Sequence, residues 1–207
     1  MGQGEEVTIV IQAIVFDIGG VFFEKSDALR TRVFTHYHIS EDWLEKIRQT
    51  ALYQIYQEGQ MTQEDFMNYV DAWLTPGTGP AKDLFRDLSL ARQLNQRLVD
   101  LTRRLRTRYR IAVLSNSDSF LEERLQYFGV WDLFEFVINS YRVRMRKPDP
   151  RIFQHLLHKI AVEPENILFV DDKAANVTVA ENLGMHGHVF SNTVDFTRHL
   201  AMEGIWF

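Results

Sequence analysis

Cysteine is absent from the 207-residue chain. That excludes a disulfide framework, a zinc–thiolate site and a cysteine nucleophile. No apolar run reaches the roughly 18 residues a membrane helix needs. Positive charge is in deficit. The 23 Lys and Arg face 28 Asp and Glu, which leaves a net charge of −5 and a pI of about 5.8. Such a chain has no general pull toward nucleic acid or anionic membranes. The acidic start Met1-Gly2-Gln3-Gly4-Glu5-Glu6 is unlike a signal peptide, and it lacks the Ser or Thr that N-myristoylation wants at position six. Internal repeats, low-complexity tracts and long linkers are also missing. What is present is ordinary globular composition, 45% hydrophobic and 25% charged, with 15 Phe to fill a core. The expectation is a cytoplasmic protein with no nucleic-acid or membrane partner.

Short apolar, β-branched runs recur along the chain. The first, Val10 to Phe16, stops at Asp17 before Gly19-Gly20. Others cover Tyr109 to Leu114, Phe134 to Ile138, Asn166 to Val170 and His186 to Phe190. They read as buried strands. Amphipathic stretches lie between them: Leu90 to Arg108, Phe120 to Phe128, Asp149 to Ala161 and Ala174 to Leu183. Alternating strands and helices predict an α/β fold, a doubly wound parallel sheet covered on both faces.

One interval breaks the rhythm. Asp17 and Ser115 are 98 residues apart, far more than a simple crossover requires. The excess contains helical stretches at Ala28 to Tyr37, Glu41 to Tyr56 and Thr62 to Leu74. Ser40 and Thr62 are N-cap candidates, and Glu64 and Asp65 suit the first turn after Thr62. The cluster Pro76-Gly77-Thr78-Gly79-Pro80 turns the chain back toward the core. The predicted organisation is an α/β core over residues 1–25 and 90–207, with a helical cap over 26–89. Trp43 and Trp73 are expected in the cap core. His36 and His38 are expected at its surface, and the run from Arg103 to Arg110 on a solvated face.

Three strands end in polar groups: Asp17, Ser115-Asn116 and Asp171-Asp172. A fourth feature, Arg146-Lys147-Pro148-Asp149-Pro150, follows the third strand. The carboxyl ends of parallel strands share one edge of the sheet, so these groups can converge. Three carboxylates together would repel unless offset. A divalent metal and Lys147 would offset them, and Mg²⁺ suits oxygen ligands of this kind. The same cations could face a phosphate, and Asp17 could attack its phosphorus to form an aspartyl-phosphate. Singly, each feature has an ordinary explanation as a cap or turn residue. Four in chain order, each at or after a strand end, do not.

The chain resembles the haloacid dehalogenase-like hydrolases. The resemblance rests on Val15-Phe16-Asp17-Ile18-Gly19-Gly20-Val21, Leu114-Ser115-Asn116-Ser117, Arg146-Lys147-Pro148-Asp149-Pro150 and Phe169-Val170-Asp171-Asp172-Lys173-Ala174-Ala175-Asn176. It runs from about Val10 onward. The stretch from Met145 to Leu156 is similar to the bacterial sugar-phosphatase branch that includes α-D-glucose-1-phosphatases. The resemblance implies a Rossmann-like core, a helical cap, Mg²⁺ as cofactor and a small phosphorylated metabolite as substrate, with a sugar phosphate as first guess. It makes Asp17 the nucleophile and a metal ligand, with the Gly19 carbonyl and Asp172 as direct ligands and Asp171 behind them. Ser115, Asn116 and Lys147 bind phosphate, aided by the start of the following helix. Asn176 matches a position that orients a metal-bound water.

One departure stands out. Most phosphatases of this family carry a second Asp two residues after the nucleophile, and here Gly19 occupies that place, with no acid–base capacity. Glu24 is the nearest candidate replacement, with Asp27 beyond it. Good leaving groups such as an anomeric phosphate would reduce the need for an acid. The alternatives are a catalytically silent family member that binds or regulates, and a 2-haloacid dehalogenase. The latter needs no metal pair and usually carries Tyr where this chain has Gly19.

Overall fold

A computed structural model describes residues 10–207; the acidic start Met1 to Glu6 lies outside the described residues. Five parallel strands form the central sheet, in the order β5-β4-β1-β6-β7. They are β1 (Ala13–Phe16), β4 (Arg110–Ser115), β5 (Phe136–Asn139), β6 (Ile167–Asp171) and β7 (His186–Val189). All are shorter than or shifted from the predicted runs by one to three residues. The ladder nevertheless continues before β1, because Gln12 N–H donates to the Asn166 carbonyl and the Gln12 carbonyl accepts from Arg110 N–H.

Strand side chains alternate between two cores, as the pleat requires. Ile14, Phe16, Ile111, Val113, Leu168 and Val170 face one side. There they meet α6 (Gln96–Leu105), α7 (Leu121–Tyr127) and α11 (Thr193–Met202). Ala13, Val15, Ala112, Leu114 and Phe169 face the other, against α9 (Pro150–Ile160) and α10 (Ala174–Asn182). A one-turn helix, α8 (Ser140–Val143), follows β5. With both faces covered, the three inner strands carry continuous apolar runs, Ala13 to Phe16, Ile111 to Leu114 and Ile167 to Val170, which is why they stand out in the sequence, whereas the edge strand β7 is His-Gly-His-Val.

Between Lys25 and Arg92 the chain makes five helices: α1 (Asp27–His36), α2 (Glu41–Arg48), α3 (Ala51–Gln57), α4 (Gln63–Asp71) and α5 (Ala81–Leu90). Their own buried cluster includes Leu44, Ile47, Tyr56, Phe66, Val70 and Leu84. Tyr56 and Phe66 stack with ring centroids 4.3 Å apart. Ser40 and Thr62 cap as expected, accepting from Trp43 and Asp65 N–H at 3.1 Å. The stretch predicted as one helix from Glu41 to Tyr56 is two. Thr50 leaves helical geometry and its hydroxyl accepts from Tyr53 N–H, starting α3 afresh. Trp73, expected in a core, is 53% exposed.

The predicted helix Leu90 to Arg108 also breaks. Arg92–Leu94 form β3, which pairs antiparallel with β2 (Phe23–Lys25), so that Lys25 stands opposite Arg92. Asn95 then caps α6 by accepting from Leu98 N–H. The chain therefore leaves for the helices and returns from them along one two-stranded ribbon. The arginine run does face solvent in part: Arg110 donates twice to Glu135, and Arg103 pairs with Asp100. Among the described residues no helix is long and apolar enough to cross a membrane.

Candidate active site

Asp17 follows β1, the middle strand, and its N–H donates to the Val170 carbonyl on β6. Ser115 ends β4, and Asp171 ends β6 with Asp172 directly after it. Because β1 lies between β4 and β6, these ends share one crevice at the carboxyl edge of the sheet. Carboxylate oxygens of Asp17, Asp171 and Asp172 all lie within 4.8 Å of one another.

Lys147 enters this cluster almost fully buried. Its Nζ sits 2.5 Å from Asp171 Oδ2, 2.6 Å from the Leu114 carbonyl and 3.0 Å from Asp17 Oδ1. The contact to Asp17 is an ion pair without hydrogen-bond alignment, so Asp17 Oδ1 is a buried oxygen lacking a hydrogen-bond donor. A buried acceptor left unmatched is a place for a cation or a proton. Asn116 holds the lysine loop from both sides: its Nδ2 donates to the Lys147 carbonyl and its Oδ1 accepts from Lys147 N–H, each at 2.8 Å.

The two adjacent acids differ. Asp171 is inaccessible to solvent and saturated: it accepts from Lys173 N–H, from Asn176 Nδ2 and from Lys147. Asp172 is solvent-accessible, and partial burial, reinforced by the charges of Asp17 and Asp171, pushes its carboxyl above the usual range. Three hard oxygen donors, one of them free and electrostatically strained, fit a divalent cation such as Mg²⁺. A carboxyl raised in the folded state weakens folding as pH climbs through its titration range. In metal-free buffer Asp172→Asn should therefore flatten a loss of stability on going from about pH 4 to neutral pH, measured by denaturant unfolding. A variant with the same pH slope as the native protein would contradict this account.

Gly19, Gly20, Glu24, Asn116 and Asn176 line the same cavity, of about 370 Å³, as Asp17, Lys147 and Asp172. Gly20 has φ +75°, and a Cβ there would lie 2.5 Å from Asp172 Oδ2. Only glycine lets the loop turn so close to that carboxylate. Gly19 is different: a Cβ on it would meet nothing within 4 Å. The exposed Glu24 on β2 is the carboxylate facing the cavity from the ribbon side. Asp27 does not line it.

The helix after Asn116, α7, begins at Leu121, within the stretch expected from Phe120 to Phe128; a loop precedes it, in which Asp118 Oδ1 accepts from Phe120 N–H and Ser117 N–H donates to Ser140 Oγ. The Asn116 side chain is occupied with Lys147, which leaves its backbone for any anion. Asn176 donates both its contacts to Asp171 and so positions that acid. The larger groove of about 590 Å³ beside α1, which includes His36, is lined by none of the four acidic and basic groups of the cluster.

A family model for haloacid dehalogenase-like hydrolases matches residues 11–184. The chain belongs to that family. Among curated proteins it is 24% identical over 202 residues to a D-ribitol-5-phosphate phosphatase of Bacteroides thetaiotaomicron, covering 93% of this chain and 98% of the relative. It is 28% identical over 200 residues to a drimenol cyclase of Aspergillus calidoustus, 93% of this chain but only 36% of that longer protein. A crystal structure of a Bacteroides thetaiotaomicron family enzyme, in complex with magnesium and inorganic phosphate, superposes with a TM-score of 0.78 at 22% identity, over 91% of this chain and 98% of the other. This family member thus shares its fold with an enzyme whose site takes a metal and a phosphate.

The sequence reading missed Arg92, which the ribbon brings to the cavity wall, and Tyr53 and Gln57 of α3, which face Ser117 and Asp118. Asn95, an N-cap type three residues before Leu98, was the available signal that the helix begins after Arg92.

Proposed function

We propose that this hydrolase is a Mg²⁺-dependent phosphomonoesterase acting on a small phosphorylated metabolite, with a sugar phosphate as first candidate. The observation that carries the reading is the convergence of Asp17, Asp171, Asp172 and buried Lys147 at one sheet edge. The D-ribitol-5-phosphate phosphatase relative and the magnesium–phosphate complex of the structural neighbour support it. Asp17, Asp172 and the Gly19 carbonyl would hold Mg²⁺, with Asp171 behind. When bound, the metal would neutralise charge on the reacting phosphate.

Asp17 is the nucleophile in this reading. One carboxylate oxygen bonds to phosphorus, the ester P–O bond breaks, and the alcohol leaves with a proton. Water then attacks the phosphorus of the aspartyl-phosphate, releasing inorganic phosphate and restoring Asp17. Lys147 offsets charge on the phosphate and on Asp17. Ser115 supplies a hydroxyl and Asn116 its backbone. The core would comprise residues 1–25 and 90–207, and residues 26–89 would be the cap that covers the cavity. Turnover of p-nitrophenyl phosphate with and without Mg²⁺ tests the reading; absence of metal-dependent turnover supports the alternative of a silent binding protein.

Glu24 is the proposed leaving-group acid, on the strength of its place in the cavity wall. Glu24→Gln should slow alkyl phosphates by roughly 10²–10⁴ and spare p-nitrophenyl phosphate, whose phenolate needs little protonation. Gly19→Asp fits the open space at that position and should rescue alkyl-ester turnover in the Glu24→Gln background. An unchanged substrate preference in Glu24→Gln would remove Glu24 from the role.

The metal assignment has its own test. Asp172→Ala should weaken Mg²⁺ binding more than it weakens the fold. Asp171→Ala should do the reverse, since Asp171 anchors Lys147, Lys173 and Asn176. Metal titration and denaturant unfolding of both variants read the two effects separately. The opposite pattern would exchange the roles of the two acids.

A further inference from the structure

The loop between β4 and α7 lies outside any helix, so its shape rests on bonds from side chains around it. Ser117 is held twice. Its N–H donates to Ser140 Oγ at 3.0 Å, and its own Oγ accepts from Arg124 Nη2 at 3.0 Å. Ser119 is held by Tyr56, whose hydroxyl lies 2.7 Å from Ser119 Oγ and accepts from Ser119 N–H. Asn139 Nδ2 donates to the Asp118 carbonyl at 2.9 Å. Directly before this loop stand Ser115 and Asn116, the phosphate-binding groups of the proposed reaction.

The side chains that hold the loop also hold the inserted helices. Ser140 Oγ is wholly buried, 3.0 Å from the Gln57 carbonyl at the end of α3 and 3.2 Å from the Ser117 carbonyl. The hydroxyl has one proton for these two acceptors. Given to Gln57, it satisfies a carbonyl that α3 leaves without a partner of its own. Arg124 Nη1 donates to Ser89 Oγ on α5 at 3.2 Å. Tyr56 belongs to α3 itself. The end of α3 is pressed against α8: Gly59 has φ +60°, and a Cβ there would lie 1.9 Å from the Tyr141 carbonyl oxygen. Gln63 N–H donates to the Tyr141 hydroxyl at 3.0 Å. A shift of α3 would break the bonds to Gln57 and Ser119 together and release the Ser140 proton to the Ser117 carbonyl.

We propose that Ser140 is a positioning residue for the phosphate-binding groups, and that with Tyr56 and Arg124 it makes phosphate affinity depend on how α3 and α5 are seated. Holding Ser117 N–H fixes the peptide plane after Asn116, and with it the direction in which the Asn116 backbone and Ser115 face an anion. The carboxylate cluster is held by other groups: Asp171 takes its bonds from Lys147, Lys173 and Asn176. Phosphate affinity and metal affinity should therefore separate. This inference rests on the phosphatase reading and adds to it a link from the helices to the phosphate.

Three measurements test it: calorimetric binding of inorganic phosphate at saturating Mg²⁺, binding of Mg²⁺ without phosphate, and steady-state turnover of p-nitrophenyl phosphate. Ser140→Ala should weaken phosphate binding about tenfold and raise KM to match. It should leave kcat within about threefold and Mg²⁺ affinity within about twofold of the native values, the pattern of lost ground-state binding. Tyr56→Phe keeps the ring stacked on Phe66 and removes only the hold on Ser119. It should weaken phosphate binding by about threefold or more, again at unchanged Mg²⁺ affinity. Should Ser140→Ala not fold, Tyr56→Phe carries the test alone. Native phosphate affinity in either folded variant overturns the proposal. So does an equal loss of phosphate and Mg²⁺ affinity, and so does a fall in kcat at unchanged KM, which reports only a smaller folded fraction. If the native protein binds phosphate but does not hydrolyse p-nitrophenyl phosphate, the phosphatase reading fails, while the binding comparison still decides the role of Ser140.

Discussion

Asp17→Asn should abolish turnover, by a factor on the order of 10³ or more, while the protein stays folded. The amide keeps the size and shape of the carboxylate, and the backbone bond from Asp17 N–H to Val170 is unaffected. What it loses is the negative oxygen that attacks phosphorus in the proposed reaction, since an amide oxygen is a poor nucleophile. The ion pair with Lys147 also goes, but Lys147 keeps Asp171 and the Leu114 carbonyl as partners. Stability should therefore change little beside activity. Steady-state turnover of p-nitrophenyl phosphate, alongside a denaturant curve, separates the two. Retention of near-native, metal-dependent turnover would show that phosphorus is attacked by something other than Asp17.

Lys147→Met should produce the largest loss of stability, roughly 3–5 kcal/mol, together with loss of activity. Lys147 is 1% exposed and Asp171 is fully buried, so solvent screens their pair little. Removing the cation leaves a buried carboxylate beside two others. The decisive comparison is a double variant. Lys147→Met with Asp171→Asn removes both charges and should be more stable than Lys147→Met alone, because the uncompensated charge is the source of the penalty. Urea unfolding of the single and double variants checks this. A double variant no more stable than the single one would mean that the lost packing of the lysine stem, and not its charge, sets the cost.

The catalytic edge was legible in the sequence because the strands that build it are buried on both faces. Ile14 to Phe16, Ile111 to Leu114 and Leu168 to Val170 are continuous apolar runs for that reason, and polar residues interrupt them where the sheet ends. Asp17, Ser115 and Asp171 mark those ends in chain order. The ribbon left no such mark. Phe23–Lys25 and Arg92–Leu94 are three residues each, too short for a period to register, and the second lies between two helices of matching pattern. Arg92 was hidden with it. The break at Thr50 was missed because Gln49 and Thr50 both fit inside a helix by composition; only the hydroxyl bond to Tyr53 N–H distinguishes a cap from an interior threonine. The commitment of Asn116 to the lysine loop depends on a contact across 31 residues, which no local pattern reports.

The β2–β3 ribbon has a consequence for how such a protein diversifies. Since Lys25 and Arg92 are paired neighbours, the chain between Ser26 and Ala91 departs and rejoins at a single place, and beyond the ribbon it is held by side-chain contacts such as Tyr56 with Ser119 and Arg86 with Glu123. Helices there can be lengthened, shortened or replaced by another lineage's version without shifting the register of any of the five parallel strands. The reactive acids and Lys147 lie wholly outside that replaceable segment. The cluster of Asp17, Asp171, Asp172 and Lys147 can thus stay constant over generations while the helices beside it are rewritten.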